Sequence, residues 1–374
     1  MDSMGTEILR IIEGGLSNDI RKIVSYSNRL ANRLESEGDI SMAKCIREKI
    51  DLASKSSNIS PDALRILPVD QDSRLQIVEV VPSDERRQKI VLSSSVERQV
   101  EEFISLVNNS SKLELAGVMI PKSMLLYGQP GCGKTSIAHY VSEKTGLPLI
   151  VARLDGIVSS LLGSTAKNLR KIFDYASSIP CILFLDEFDA IAKARDDAHE
   201  LGELKRVINS LLQNIDTFPN GCVLIAATNH PDLLDKAVWR RFTQKVEVGL
   251  PSISEIMEMI DVFSEPFDMD ILKDNTRKRA FAKTVKDLSP SDIKTAFDRA
   301  KAQAVLKNEK SISVTKLLES VFEFKEAAER REFSEEDLIR FLRNNGATIS
   351  EINKDLGISL RRIKEFGPHR KQED

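Results

Sequence analysis

Between Ile8 and Ile50 apolar residues recur at helical spacing. Ile8, Ile11 and Ile12 share one stripe. Ile20, Ile23 and Val24 form a second, which Leu30 and Leu34 extend, and Met42, Ile46 and Ile50 form a third. Gly14–Gly15 and Glu37–Gly38 interrupt the pattern, which predicts a small helical hairpin or bundle over residues 1–60. Two roles fit it equally: a stability cap, or a docking unit for a substrate or adaptor. Residues 55–62 (KSSNISPD) read as a linker. An extended stretch follows near Leu75–Val81, then a helix around Val96–Val107.

From Met124 the period changes. MLLY, PLIVA, CILFL, CVLIAAT and KVEV are short apolar runs, each followed by a helix-length segment. Strands buried on both faces read as continuous apolar runs. Their alternation with helices predicts an α/β fold, a parallel five-stranded sheet wrapped by helices, within a core spanning 61–250. Residues 251–326 return to helical spacing (SEIMEMIDVF, KRAFAKTV, SDIKTAFDRAKAQAVL, VTKLLESVF), and 327–374 hold a last helical unit.

Composition narrows the options modestly. Apolar residues make up 41% and charged residues 30%, an ordinary globular balance. With 54 basic against 57 acidic side chains the net charge is −3, which excludes a globally basic nucleic-acid coat but not a local patch. Aromatics are 5%, with a single tryptophan, Trp239, too few for a single-strand stacking platform. Cys45, Cys132, Cys181 and Cys222 form no CxxC pair, and the four histidines form no HExxH, so neither a zinc site nor a disulfide framework is expected. No apolar run reaches about 18 residues, and MDSMGTEILRIIEGG is not patterned as a leader. The expectation is a reducing, cytoplasmic setting with no membrane partner.

Two segments carry chemistry. GQPGCGKT, Gly128–Thr135, has the G-x-x-x-x-G-K-T spacing of a phosphate-binding loop, with a strand running in and a helix running out. Gly128, Gly131 and Gly133, with Pro130 and Cys132 between them, let successive N–H groups turn around a polyphosphate. The helix running out of the loop (TSIAHYVSEKT), with Ser136 in its first turn, aims its positive end at the same anion. Lys134 reaches the terminal phosphates and the Thr135 hydroxyl ligates Mg²⁺. The second segment, ILFLDEFDA, ends a buried strand in Asp186 and Glu187. Such acids lie at the sheet edge where ligands bind. There Asp186 helps to hold Mg²⁺ and Glu187 orients the attacking water. A chance glycine-rich turn beside an acidic helix start is the bland alternative, and the paired segments make it the weaker one. Cys132 sits inside the loop, so oxidation or alkylation there is expected to block nucleotide.

Together these motifs resemble the ATPase module of the AAA family, within the AAA+ superfamily of P-loop NTPases, and more closely its protein-remodelling branch. FLDEFDAIAKARDD and LIAATNHPDLLDKAVWRRF are similar to the family's second nucleotide motif and the segment after it. The resemblance implies an AAA+ P-loop core with a helical lid, ATP and Mg²⁺ as cofactors, and ATP hydrolysis. It implies that Asn229 senses the γ-phosphate or the attacking water, and that Arg240 and Arg241 complete a neighbour's site. It further implies a homo-oligomeric ring, usually a hexamer, acting on a protein client or partner enzyme. Leu161, Leu162 and Gly163 stand at the pore-loop position, with leucine where the family places an aromatic. A second pore candidate is DDAHELGE, Asp196–Glu203. The lid segment LSPSDIKTAFDRA carries Ser291 rather than an arginine.

The end of the chain lies outside that resemblance. ISEINKDLGISLRRIKEF is similar to a helix-turn-helix, with Gly357 at the turn. Arg361, Arg362 and Lys364 are then candidate DNA contacts, although Asn353 replaces the small residue usually packed there. The alternative is a helical hairpin that packs on the lid or binds protein.

Overall fold

The computed structural model describes residues 8, 11–12, 20–36, 39, 42–47, 68, 77–83, 89–154, 162–190, 201–219, 222–329 and 332–366. In the N-terminal unit Ile20–Ser36 forms helix α1. Residues 42–47 are helical too, and Arg47 reaches back to Asn32 at 2.7 Å and Glu35 at 2.6 Å.

The core begins with a short strand, Glu79–Val81 (β1), and helix α2 (Ser94–Asn108), whose first turn is capped by Ser93. Helix α3 (Ser110–Leu115) leads into β2 (Lys122–Tyr127), followed by α4 (Lys134–Thr145), β3 (Leu149–Arg153) and α5 (Leu162–Ser177). Next come β4 (Ile182–Asp186), α6 (Leu201–Asp216), β5 (Val223–Thr228), the short α7 (Lys236–Trp239) and β6 (Gln244–Glu247). The sheet order is β1-β3-β4-β5-β2-β6. The five apolar runs form β2 to β6, all parallel. The expected five-stranded sheet gains a sixth strand. β1 pairs antiparallel with β3, Val80 opposite Ile150, so a stretch read only as extended closes the sheet edge.

Both sheet faces are buried, as the uninterrupted apolar runs require. Leu125, Ile150, Leu183 and Leu224 face α5 and α6, where Leu169, Phe173, Val207 and Leu211 cover them. Met124, Leu126, Phe184 and Ile225 point the other way, under Val100 and Phe103 of α2 and Ile137 and Val141 of α4. The successive residues of β2 thus serve opposite faces, the period of a strand.

After the sheet come α8 (Ile253–Ser264), β7 (Asp268–Met269), α9 (Asn275–Thr284), α10 (Pro290–Leu306), β8 (Ser311–Ile312) and α11 (Val314–Glu329). Then follow α12 (Glu335–Asn344), α13 (Ile349–Leu356) and α14 (Leu360–Glu365). One hydrophobic cluster runs through all of these helices, from Ile256 and Phe297 to Ile339, Ile352 and Ile363. Polar ties reinforce the junction: Arg277 pairs with Glu351 at 2.6 Å, and Thr284 donates to Asn345 at 2.7 Å. Residues 335–365 therefore share a core with the lid.

Candidate functional site

The carboxyl ends of β4, β5 and β2 are neighbours in the sheet, so the loops leaving them meet at one edge. The turn after β2 bends on glycines. Gly128, Gly131 and Gly133 have φ of 140°, 75° and 98°, a region that strains any side chain. Close approach adds a second reason: a Cβ on Gly128 would stand 2.2 Å from the Val248 carbonyl oxygen. Gly133 also leaves α4 without a side-chain cap, so its first N–H groups are open to an anion. Lys134 is buried, and its Nζ donates to the carbonyls of Gly128 at 2.8 Å and Gln129 at 2.9 Å, across the bend. Burial pulls its pKa below the ordinary lysine value, while Cys132, Asp186 and Asp189 pull the other way.

Across the loop, the Thr135 hydroxyl donates to Asp186 at 3.2 Å. A hydroxyl and a carboxylate this close are two hard oxygen donors on one side of a small cation. Among the described residues no group of three or more His, Cys, Asp or Glu side chains could hold a metal. Magnesium bound here would complete its shell with phosphate and water, the manner this ion favours. Glu187 is exposed and sits at φ 53°, unusual for glutamate, with its amide held by Asp186 at 2.9 Å. Such local strain concentrates at functional turns and costs about 1–2 kcal/mol.

Sequence reasoning missed Asp189, the third acid of LDEFDA. It is 2% exposed and accepts from the Thr228 hydroxyl at 2.9 Å and the Asn229 amide at 3.1 Å. A buried carboxylate thereby fixes the end of β5, at the backbone of Asn229. The contact of the lid segment with the loop was missed too. The Ser291 amide donates to the Gly131 carbonyl at 3.1 Å, so the start of α10 rests on the phosphate loop. Beside this contact lies a cavity of about 790 Å³, walled by Ile90, Leu92, Cys132, Met259 and Pro290, ample for a nucleoside. Cys132 itself is buried, and burial pushes its thiol up, so the reactive thiolate is disfavoured.

One family profile spans this loop, the acid pair and the residue after β5. The profile of the ATPase family associated with various cellular activities (AAA) matches residues 124–250. The uncharacterized AAA family ATPase y4kL of Sinorhizobium fredii is 35% identical over 242 residues, covering 65% of this chain and 72% of that protein. The chain belongs to the AAA family of ATPases. Among other relatives, the proteasome-activating nucleotidase of Methanococcus maripaludis is 30% identical, over 69% of this chain and 65% of its own. The ATP-dependent zinc metalloprotease FtsH 2 of Symbiobacterium thermophilum is 32% identical, and this AAA chain spans 39% of it.

Other candidates are placed less centrally. Arg240 is exposed at the end of α7. Arg241 is turned inward, donating to both oxygens of Asp216 at 2.8 and 2.9 Å and to the Ala237 carbonyl at 2.7 Å. Leu161 and residues 191–200 lie outside the described residues, and Leu162 and Gly163 open α5. On α14, Arg361 and Lys364 are exposed while Arg362 pairs with Glu335 at 3.1 Å. Asn353 is used locally: its amide donates to the Ile358 carbonyl at 2.8 Å and ties the turn. No described helix is long and apolar enough to cross a membrane.

Proposed function

We propose that this AAA ATPase works as a ring of like subunits that couples ATP turnover to the remodelling of a protein client. The observation carrying the shared site is where its arginines lie. The Arg241 carbonyl accepts from Ser123 at the start of β2, at 3.1 Å. The phosphate loop begins at Gly128, five residues further along, roughly 17 Å at the rise of a strand. An arginine whose carbonyl is tied to the amino end of β2, opposite the loop, is placed to serve another subunit's nucleotide.

ATP binds on Gly128–Ser136, with Lys134 and the α4 amides on its phosphates and the base in the cavity under the lid. Thr135 and Asp186 would hold Mg²⁺, which would supply charge neutralisation at the phosphates. Glu187 polarises the attacking water and Asn229 orients it. An arginine from the neighbour meets the charge that builds up in the transition state. Through Ser291 on Gly131, a change at the phosphates is passed to the lid, and pore residues Leu161–Gly163 carry that motion to the client. Kinship with FtsH and proteasome-activating nucleotidase favours a polypeptide client.

The deciding experiment is Glu187→Gln. It binds ATP with unchanged affinity, assembles, and loses turnover; near-normal turnover would take Glu187 out of catalysis. Clients separate by stimulation. An unfolded protein raises the wild-type rate in a manner dependent on Leu161. Stimulation by duplex DNA that disappears with Arg361 and Lys364 changed to Ala would instead make this a DNA-associated regulator. If neither stimulates, the remaining reading is an ATP switch on a partner enzyme.

A further inference from the structure

The two adjacent arginines do not share one environment. Arg241 commits all three guanidinium nitrogens within its own subunit: Nε and Nη2 to the two oxygens of Asp216, and Nη1 to the Ala237 carbonyl. Its backbone is pinned as well. The Arg241 amide donates to Val238 at 3.0 Å, and its carbonyl receives the Ser123 hydroxyl. The Thr243 hydroxyl donates to the Pro121 and Ser123 carbonyls at 2.9 and 2.7 Å. Arg240 is exposed and makes no ion pair among the described residues. A forked guanidinium held on both carboxylate oxygens has a fixed direction, and its charge is matched locally.

We infer that the pair divides its labour. Arg240 alone supplies the charge to the neighbour's γ-phosphate. Arg241 is a strut that, with Asp216 at the end of α6, holds the segment bearing Arg240 at its angle. Asp216 is then a positioning residue for hydrolysis, although it touches no nucleotide. This rests on the shared-site reading above, and it separates two residues that the motif alone treats alike.

The sign of one substitution separates the two roles. If Arg241 were itself the transferred charge, freeing it from Asp216 would leave turnover intact or raise it. If it is a strut, removing either partner costs the same. The test measures kcat, KM for ATP and nucleotide affinity for Arg240→Ala, Arg241→Ala, Asp216→Asn and the Arg241→Ala/Asp216→Asn double variant. Each is also mixed with Glu187→Gln subunits. Arg240→Ala is expected to lose about 10³-fold or more in kcat, the scale of a trans arginine. Arg241→Ala and Asp216→Asn are each expected to lose about 10- to 100-fold, the scale of a misplaced group. The double variant should lose no more than either single one. ATP affinity should hold in all of them, which reports an intact fold. Asp216→Asn should recover when mixed with Glu187→Gln, because its own phosphate site is sound and only its service to the neighbour is impaired. A general folding defect would not recover. Full turnover in Asp216→Asn, together with an Arg241→Ala loss equal to that of Arg240→Ala, overturns the division. Absence of recovery for Arg240→Ala with Glu187→Gln at every ratio brings down the shared site itself, and the strut with it.

Discussion

Asp189 shows what a single buried charge does for this site. Its carboxylate holds the Thr228 hydroxyl and the Asn229 amide, both at the end of β5. Asp189→Ala leaves those donors without their charged acceptor in a buried place, a cost of about 2–3 kcal/mol. The thermal midpoint is expected to fall by roughly 5–10 °C, with kcat falling too as Asn229 loses its anchor. Calorimetry that finds an unchanged midpoint would refute the anchor. The loop and the acid pair were legible, because GQPGCGKT and LDE are fixed by spacing. Asp189 was not, since a third acid in such a run reads equally well as a helix start. Nor did Glu187 announce its positive φ: no sequence signal marks a glutamate strained by its neighbours. The split between Arg240 and Arg241 was hidden for a similar reason. It depends on Asp216, far off in sequence.

At the scale of elements, the contact between lid and phosphate loop has little slack. A Cβ on Gly131 would lie 2.4 Å from the Ser289 hydroxyl oxygen. That hydroxyl cannot swing away freely, because it caps α10 and donates to Asp292 at 2.7 Å. Gly131→Ala is therefore expected to weaken ATP binding at least tenfold, the sum of backbone strain and a displaced lid. A fluorescent nucleotide titration checks it, and unchanged affinity would mean that the lid yields. The helices were readable from their period, and four of their starts also carry capping boxes: Ser252–Glu255, Ser289–Asp292, Ser334–Asp337 and Thr348–Glu351. β1 was harder. Three residues of antiparallel edge have no period to read, and only pairing with β3 defines them. The helix-turn-helix pattern at the end was visible as a hairpin, but its apolar positions are spent on the lid core. Deleting 333–374 should accordingly destabilise the lid and expose Phe322, which packs against Phe341 at 5.1 Å between ring centroids. Increased binding of a hydrophobic dye and lowered ATP affinity would follow. A truncated chain with normal affinity and no dye binding would show that unit to be separable.

For the whole molecule, the proposed sharing of Arg240 between subunits has a kinetic consequence. On the proposed shared site, a subunit that holds its own loop and acids but offers Arg240 outward is incomplete alone. Its specific activity should then depend on its concentration. Dilution below the assembly constant is expected to lower turnover per subunit by about 10³-fold, the share a trans arginine contributes, while ATP binding on Lys134 and the loop persists. Glu187→Gln should resist that dilution when ATP is present, because uncleaved ATP keeps each interface engaged and binding to the assembled state stabilises it by mass action. Sedimentation and turnover measured on the same dilution series test this together. Turnover that stays constant per subunit after the chain sediments as a monomer would mean that each site is complete within one chain.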